Sequence, residues 1–145
     1  YDMHNIEIFG GKAKEREIAE TAVWWCVQRL LPRVRTLNIE IRLKKLDGAM
    51  GYCLNTDNHK SFEIEINKGM RLFDLISTVC HEMVHVKQYY RRELRHRTAG
   101  GKIMWKTKAV NDSSIAYTDL PWEKEAFKME CELTIECFTE LNVSF

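Results

Sequence analysis

Apolar residues recur at helical spacing from Lys12 to Leu31, where Ile18, Ala22, Trp25, Cys26 and Leu30 share a face and Pro32 limits further extension. The period then changes from helical to alternating. In LNIEIRL, Leu37, Ile39, Ile41 and Leu43 alternate with Asn38, Glu40 and Arg42, which predicts a strand with one buried face. The short apolar run AMGYCL predicts a second strand, and FEIEI a third with Phe62, Ile64 and Ile66 inward; NTDNHK between them is turn chemistry. A helical pattern follows from about Arg71 to Leu94, then a glycine-containing loop with TAGGK and MWK. DLPWEKEAF opens the last helix, with Asp119 as its expected N-cap and Pro121 in its first turn. The order helix, small antiparallel sheet, helix, loop, helix predicts an α+β fold.

The chain has 145 residues, 45% of them hydrophobic and 30% charged, which fits one domain over 1–145 with its own core and excludes extensive disorder. No apolar run approaches the roughly 20 residues of a membrane span, and YDMHNIEIFGGK has no signal-peptide character, so the cytoplasm is the expected compartment. Five cysteines form no CxxC pair, and their odd number argues against a disulfide framework. They are read as small buried thiols in a reducing setting. Trp24, Trp25 and Trp122 fall in apolar helical patterns and are read as core. Trp105 fits either core or a wall of a site.

Net charge is only +1, but it is unevenly spread. Lys87 to Lys108 holds eight Lys or Arg against Glu93, whereas Asp119 onward holds seven acidic residues against Lys124 and Lys128. Arg91, Arg92, Arg95, Arg97, Lys102, Lys106 and Lys108, with Tyr90 and Trp105 interleaved, could meet phosphates and bases of a nucleic acid; a solvated face is the plainer use of such a run.

The chemistry concentrates in VCHEMVHVKQYY. At about 100° per residue, Leu72, Leu75, Ile76, Val79, Cys80, Met83, Val86 and Tyr90 fill one arc, while His81 and His85 lie about 40° apart on the other side. Two imidazoles one turn apart can share a zinc ion, and Glu82 is displaced toward a position where it can act as a base on water. The plain alternative is a helix that merely carries two histidines. A third ligand is required, and His59, His96 or a downstream carboxylate can supply it. In PWEKEAFKMECEL, Glu123 falls between two apolar arcs, on the side that should be buried, and Glu125 falls opposite with Glu132 and Glu136. A buried carboxylate needs a partner, which favours Glu123 and leaves Glu125 as the alternative. Glu130, seven residues on from Glu123, is placed to orient a ligand histidine.

With these residues assembled, the chain resembles a small zincin metallopeptidase of the SprT-like and minigluzincin type, often encoded by phages and bacteria. HEMVHVKQY and PWEKEA together carry the resemblance, which spans most of the chain. It implies a compact zincin-like fold, Zn2+ as cofactor, and hydrolysis of peptide bonds in a protein or peptide substrate, in the cytoplasm or in a host's cytoplasm. The ExxA pattern of the glutamate zincins matches Glu123-Lys124-Glu125-Ala126. Two departures stand out. Phe127 occupies a place where that family often has an acidic residue, and no histidine follows His96 to match the SprT-like third ligand. In the implied scheme His81, His85 and Glu123 hold zinc, Glu82 is the general base, and Tyr117 or His96 donates to the oxyanion. FEIEI is a possible edge for an extended substrate, with ordinary sheet pairing as the plainer use. A DNA-linked protease that uses the basic stretch, and a purely structural zinc site, are the rival readings.

Overall fold

The computed structural model describes residues 3–55, 58–96 and 102–141. The alternating LNIEIRL forms β2 (Asn38–Lys44), with Ile39, Ile41 and Leu43 buried and Asn38, Arg42 and Lys44 exposed. FEIEI lies in β4 (Ser61–Asn67), and the apolar run before it forms β3 (Gly51–Asn55). A strand absent from the sequence-based expectation, β1 (Asn5–Gly10), precedes α1 (Ala13–Leu30).

The larger sheet has the order β1-β2-β4-β3. β1 and β4 both run parallel to β2, and only β3 is antiparallel, against β4. The expected antiparallel sheet is therefore corrected to a mixed, mainly parallel one. Two connections account for it: α1 between β1 and β2 returns the chain in the same direction, and β3 lies on the outer edge, so β4 folds back between β3 and β2 and runs parallel to β2. A second sheet of three-residue strands, β5 (Leu94–His96), β6 (Ile103–Trp105) and β7 (Lys108–Val110), occupies the region expected to be a loop. Arg97 and TAGG of the expected loop lie outside the described residues.

Inward residues of the sheet join Ile18, Ala22 and Val23 of α1 and Leu75, Ile76, Val79 and Met83 of α2 (Leu72–Tyr90) in one core. α2 packs against α1, β3, β4 and α3 (Pro121–Leu141), so its polar side is buried as well as its apolar side. Asp119, the expected N-cap, instead lies in a 3-10 turn (Tyr117–Asp119), and Leu120 stands immediately before α3. The first helical acceptor is the Leu120 carbonyl, which takes the N–H groups of Glu123 and Lys124. Of the cysteines, Cys26, Cys80 and Cys137 are buried as expected, Cys53 is half-buried and Cys131 is exposed. Trp122 is buried, while Trp24 and Trp25 are only half-buried. No helix among the described residues is long and apolar enough to cross a membrane.

Gly10 ends β1 with a φ of 82°, and a Cβ there would fall on the carbonyl oxygen of its β2 neighbour Leu43. Gly10→Ala is therefore expected to cost on the order of 2 kcal/mol through the left-handed backbone and the clash together. Chemical denaturation should show a lower midpoint, and an unchanged midpoint would refute the close approach.

Candidate metal centre

α2 supplies two imidazoles from adjacent turns, and Pro121 begins α3 so that its third residue is Glu123. Leu120 and Trp122, buried with Leu94, anchor this end of α3. The result is convergence. Ligand atoms of His81, His85 and Glu123 all lie within 4.8 Å of one another. Nε2 of His81 is 2.9 Å from Oε1 of Glu123, and Nε2 of His85 is 3.2 Å from Oε2. All three residues are buried, at 6%, 7% and 5% exposure.

The far side of each ring is also held. His81 Nδ1 lies 2.8 Å from Glu130 Oε1, and the other Glu130 oxygen accepts the Ser77 hydroxyl at 2.9 Å. His85 Nδ1 lies 2.8 Å from Gln88 Oε1. The Gln88 amide nitrogen donates to the Trp122 carbonyl at 2.9 Å and to Glu125 at 3.0 Å, which orients its oxygen toward His85 as an acceptor. Both rings thus present Nε2 to Glu123 while Nδ1–H donates outward, the arrangement that fixes a metal-binding tautomer.

Burial pushes the His81 imidazole down, but the carboxylates of Glu123 and Glu130 outweigh it and raise the ring to about 9. His85 is also raised: Glu123 and Glu82 overcome its burial. Burial of Glu123 works against its charge, yet the two histidines hold it down at about 2. Three polar groups this deeply buried are stable only as a charged cluster or around a cation. Two imidazoles and a carboxylate are a donor set that suits zinc, so the residues present fit the ion.

Glu82 is 5% exposed and does not join the cluster. It lines a cavity of about 660 Å³ together with His81, Glu130, Tyr117, Phe127 and the β3 residues Gly51 and Tyr52. Burial raises the Glu82 carboxyl, with His85 and His81 opposing. β3 passes close above it: a Cβ on Gly51 would stand 2.9 Å from Thr78 Cγ2 and 3.3 Å from Glu82 Oε2.

The alternatives separate in space. Glu125 is not part of the converging group and accepts from Lys87 Nζ at 2.9 Å and from Gln88 Nε2 at 3.0 Å. His59 is exposed beside Tyr90, and His96 is exposed with its Nε2 3.2 Å from the Tyr89 hydroxyl. Tyr117 lines the cavity, and its phenol is raised by partial burial and by the negative charge of Glu123. Between the two oxyanion donors considered, the structure brings Tyr117 to the site. Trp105 packs 6.3 Å from Trp122 in the small second cluster, away from the cavity lining. Phe127 packs against His81, with ring centroids 4.6 Å apart and the planes inclined at 58°. It covers the ring that Glu130 orients.

Sequence reasoning passed over Gln88, which is fully buried. The available signal was its spacing, three residues after His85 and therefore its neighbour on the helix. Lys87 is also buried, paired with both Glu93 and Glu125. The basic stretch is partly engaged internally in other ways: Arg91 donates to Leu30 O, Arg95 to Lys106 O, and Lys106 lies over Trp105.

If Glu130 sets the His81 tautomer, Glu130→Ala is expected to weaken zinc binding by about 10–100-fold. Competition against a chelator would measure it, and wild-type affinity in the variant would remove Glu130 from the site. Compared with protein-family models, with curated proteins and with solved structures, the chain matches none of them.

Proposed function

We propose that this protein is a zinc-dependent peptidase of the cytoplasm. One observation carries the reading: His81, His85 and Glu123 converge, buried, and His81 and its neighbour Glu82 line an open cavity. Bound there, zinc supplies Lewis acidity that lowers the pKa of water toward about 7 and polarises the scissile carbonyl. Glu82 takes the proton of the attacking water and passes it to the leaving nitrogen. Its raised carboxyl suits both halves of that transfer. Glu130 and Gln88 keep the two imidazoles aimed, and the Tyr117 hydroxyl donates to the carbonyl oxygen as charge develops on it.

The substrate edge differs from the one considered from sequence. FEIEI lies in β4, between β2 and β3, so it has no free edge; β3 is the outer strand and lines the cavity. In this proposal β3 pairs with an extended peptide. The resemblance to glutamate zincins supports the reading through the spacing of Glu123 and Ala126, and the free thiols support a reducing compartment. The nucleic-acid alternative draws less support, because Lys87, Arg91, Arg95 and Lys106 have partners within the fold. Association with DNA that weakens steeply with salt would revive it.

The test is removal and return of the ion. Chelator-treated protein should lose hydrolysis of a denatured-casein digest, and one equivalent of zinc should restore it. Full turnover in excess chelator would end the proposal.

A further inference from the structure

The cavity beside His81 has a charge unlike that of the whole chain. Lys and Arg number 22 against 21 Asp and Glu overall, yet among the described residues the cavity is lined by Asp74, Glu82 and Glu130 and by no Lys or Arg. Glu82 and Glu130 have roles at the metal centre. Asp74 has none. Among the described residues no side chain donates to its carboxylate, and its hydrogen bond to Thr78 is made through the backbone carbonyl. Asp74 stands in the first turn of α2, where the helix dipole favours a carboxylate, and the N-cap residue Arg71 makes no side-chain cap bond, so the Asp74 carboxylate keeps its acceptor positions for a ligand.

We propose that the cavity selects peptides with an arginine or lysine beside the scissile bond, whose charged head is met by Asp74. The inference rests on the peptidase reading and names its substrate class. Asp74, Ser77, Thr78 and His81 follow one face of α2 into the cavity. Seven residues of helix separate Asp74 from His81 by about 10 Å along the axis. That span suits a long side chain whose backbone is held near His81 and whose head lies at Asp74. Met50, Tyr52 and Phe127 provide apolar wall for the methylene stem, and the two rings add favourable faces for a cation. A glutamate or aspartate in the same slot would meet the Asp74 carboxylate, to which no side chain donates among the described residues, so the cavity discriminates by repulsion as well as attraction. The attraction between Asp74 and a cationic head is long-ranged at low ionic strength, and salt screens it.

The test uses the zinc-loaded full chain and matched peptides with a single arginine, citrulline or glutamate in an alanine-glycine background, the products being identified by mass spectrometry. Citrulline keeps the shape of arginine and removes the charge. Wild-type kcat/KM should favour arginine over citrulline by on the order of tenfold or more, and the ratio should shrink as ionic strength rises. Asp74→Asn should bring the ratio toward one, and Asp74→Lys should turn the preference toward the glutamate peptide. The salt series needs only the wild-type protein, so it still decides the matter if either variant fails to fold. Equal cleavage of arginine and citrulline peptides by wild type, or a ratio that survives both salt and Asp74→Asn, would overturn the assignment while leaving the peptidase reading intact. Failure to cleave any peptide would sink that reading, and this inference with it.

Discussion

Glu82→Gln should lower peptide hydrolysis by about 10²–10⁴-fold while zinc content stays at the wild-type level. Glutamine keeps the size of the side chain and its place beneath Gly51 but cannot accept and release a proton. Glu82 lies outside the three-residue cluster, so its loss leaves every proposed ligand and both orienting partners in position. The two readouts must therefore separate. Turnover that persists in the variant would remove Glu82 from the chemistry, and loss of zinc with turnover would make it a ligand rather than a base.

The second large effect distinguishes two glutamates two residues apart. Glu123→Ala should abolish stoichiometric zinc binding, a loss greater than the about 10–100-fold expected from an orienting residue. Each Glu123 oxygen faces a different histidine, at 2.9 and 3.2 Å, so no nearby group replaces it. Glu125→Ala should retain zinc. Lys87 keeps its pair with Glu93 at 2.8 Å, and Gln88 keeps the Trp122 carbonyl as an acceptor and can still hold His85. Metal analysis of the two purified variants reads the difference, and the reverse pattern would move the ligand to Glu125.

The sequence made α1, β2, β4 and α2 legible because each carries many apolar residues at a single period. Helical phase also separated Glu123 from Glu125: a glutamate between two apolar arcs had to face inward, and it does. β1 was hidden because Ile6 and Ile8, both only half-buried, alone make too short an alternation. Strand direction has no local signature, so parallel pairing became visible only once β1 was known to precede α1. The three-residue strands β5 to β7 are too short for any period to register. Gln88 was passed over for a different reason, although its spacing from His85 was a signal. Its polar neighbours suggested a solvated face, whereas α3 covers that side of α2 and makes it the most buried polar position at the site.

X-ray absorption at the zinc edge of the zinc-loaded protein tests the central claim most directly. Coordination by His81, His85 and Glu123 predicts nitrogen and oxygen scatterers at about 2.0–2.1 Å, with the multiple-scattering pattern of two imidazoles. Sulfur at about 2.3 Å, which would bring in one of the five free cysteines, or a shell without two imidazoles, would contradict it.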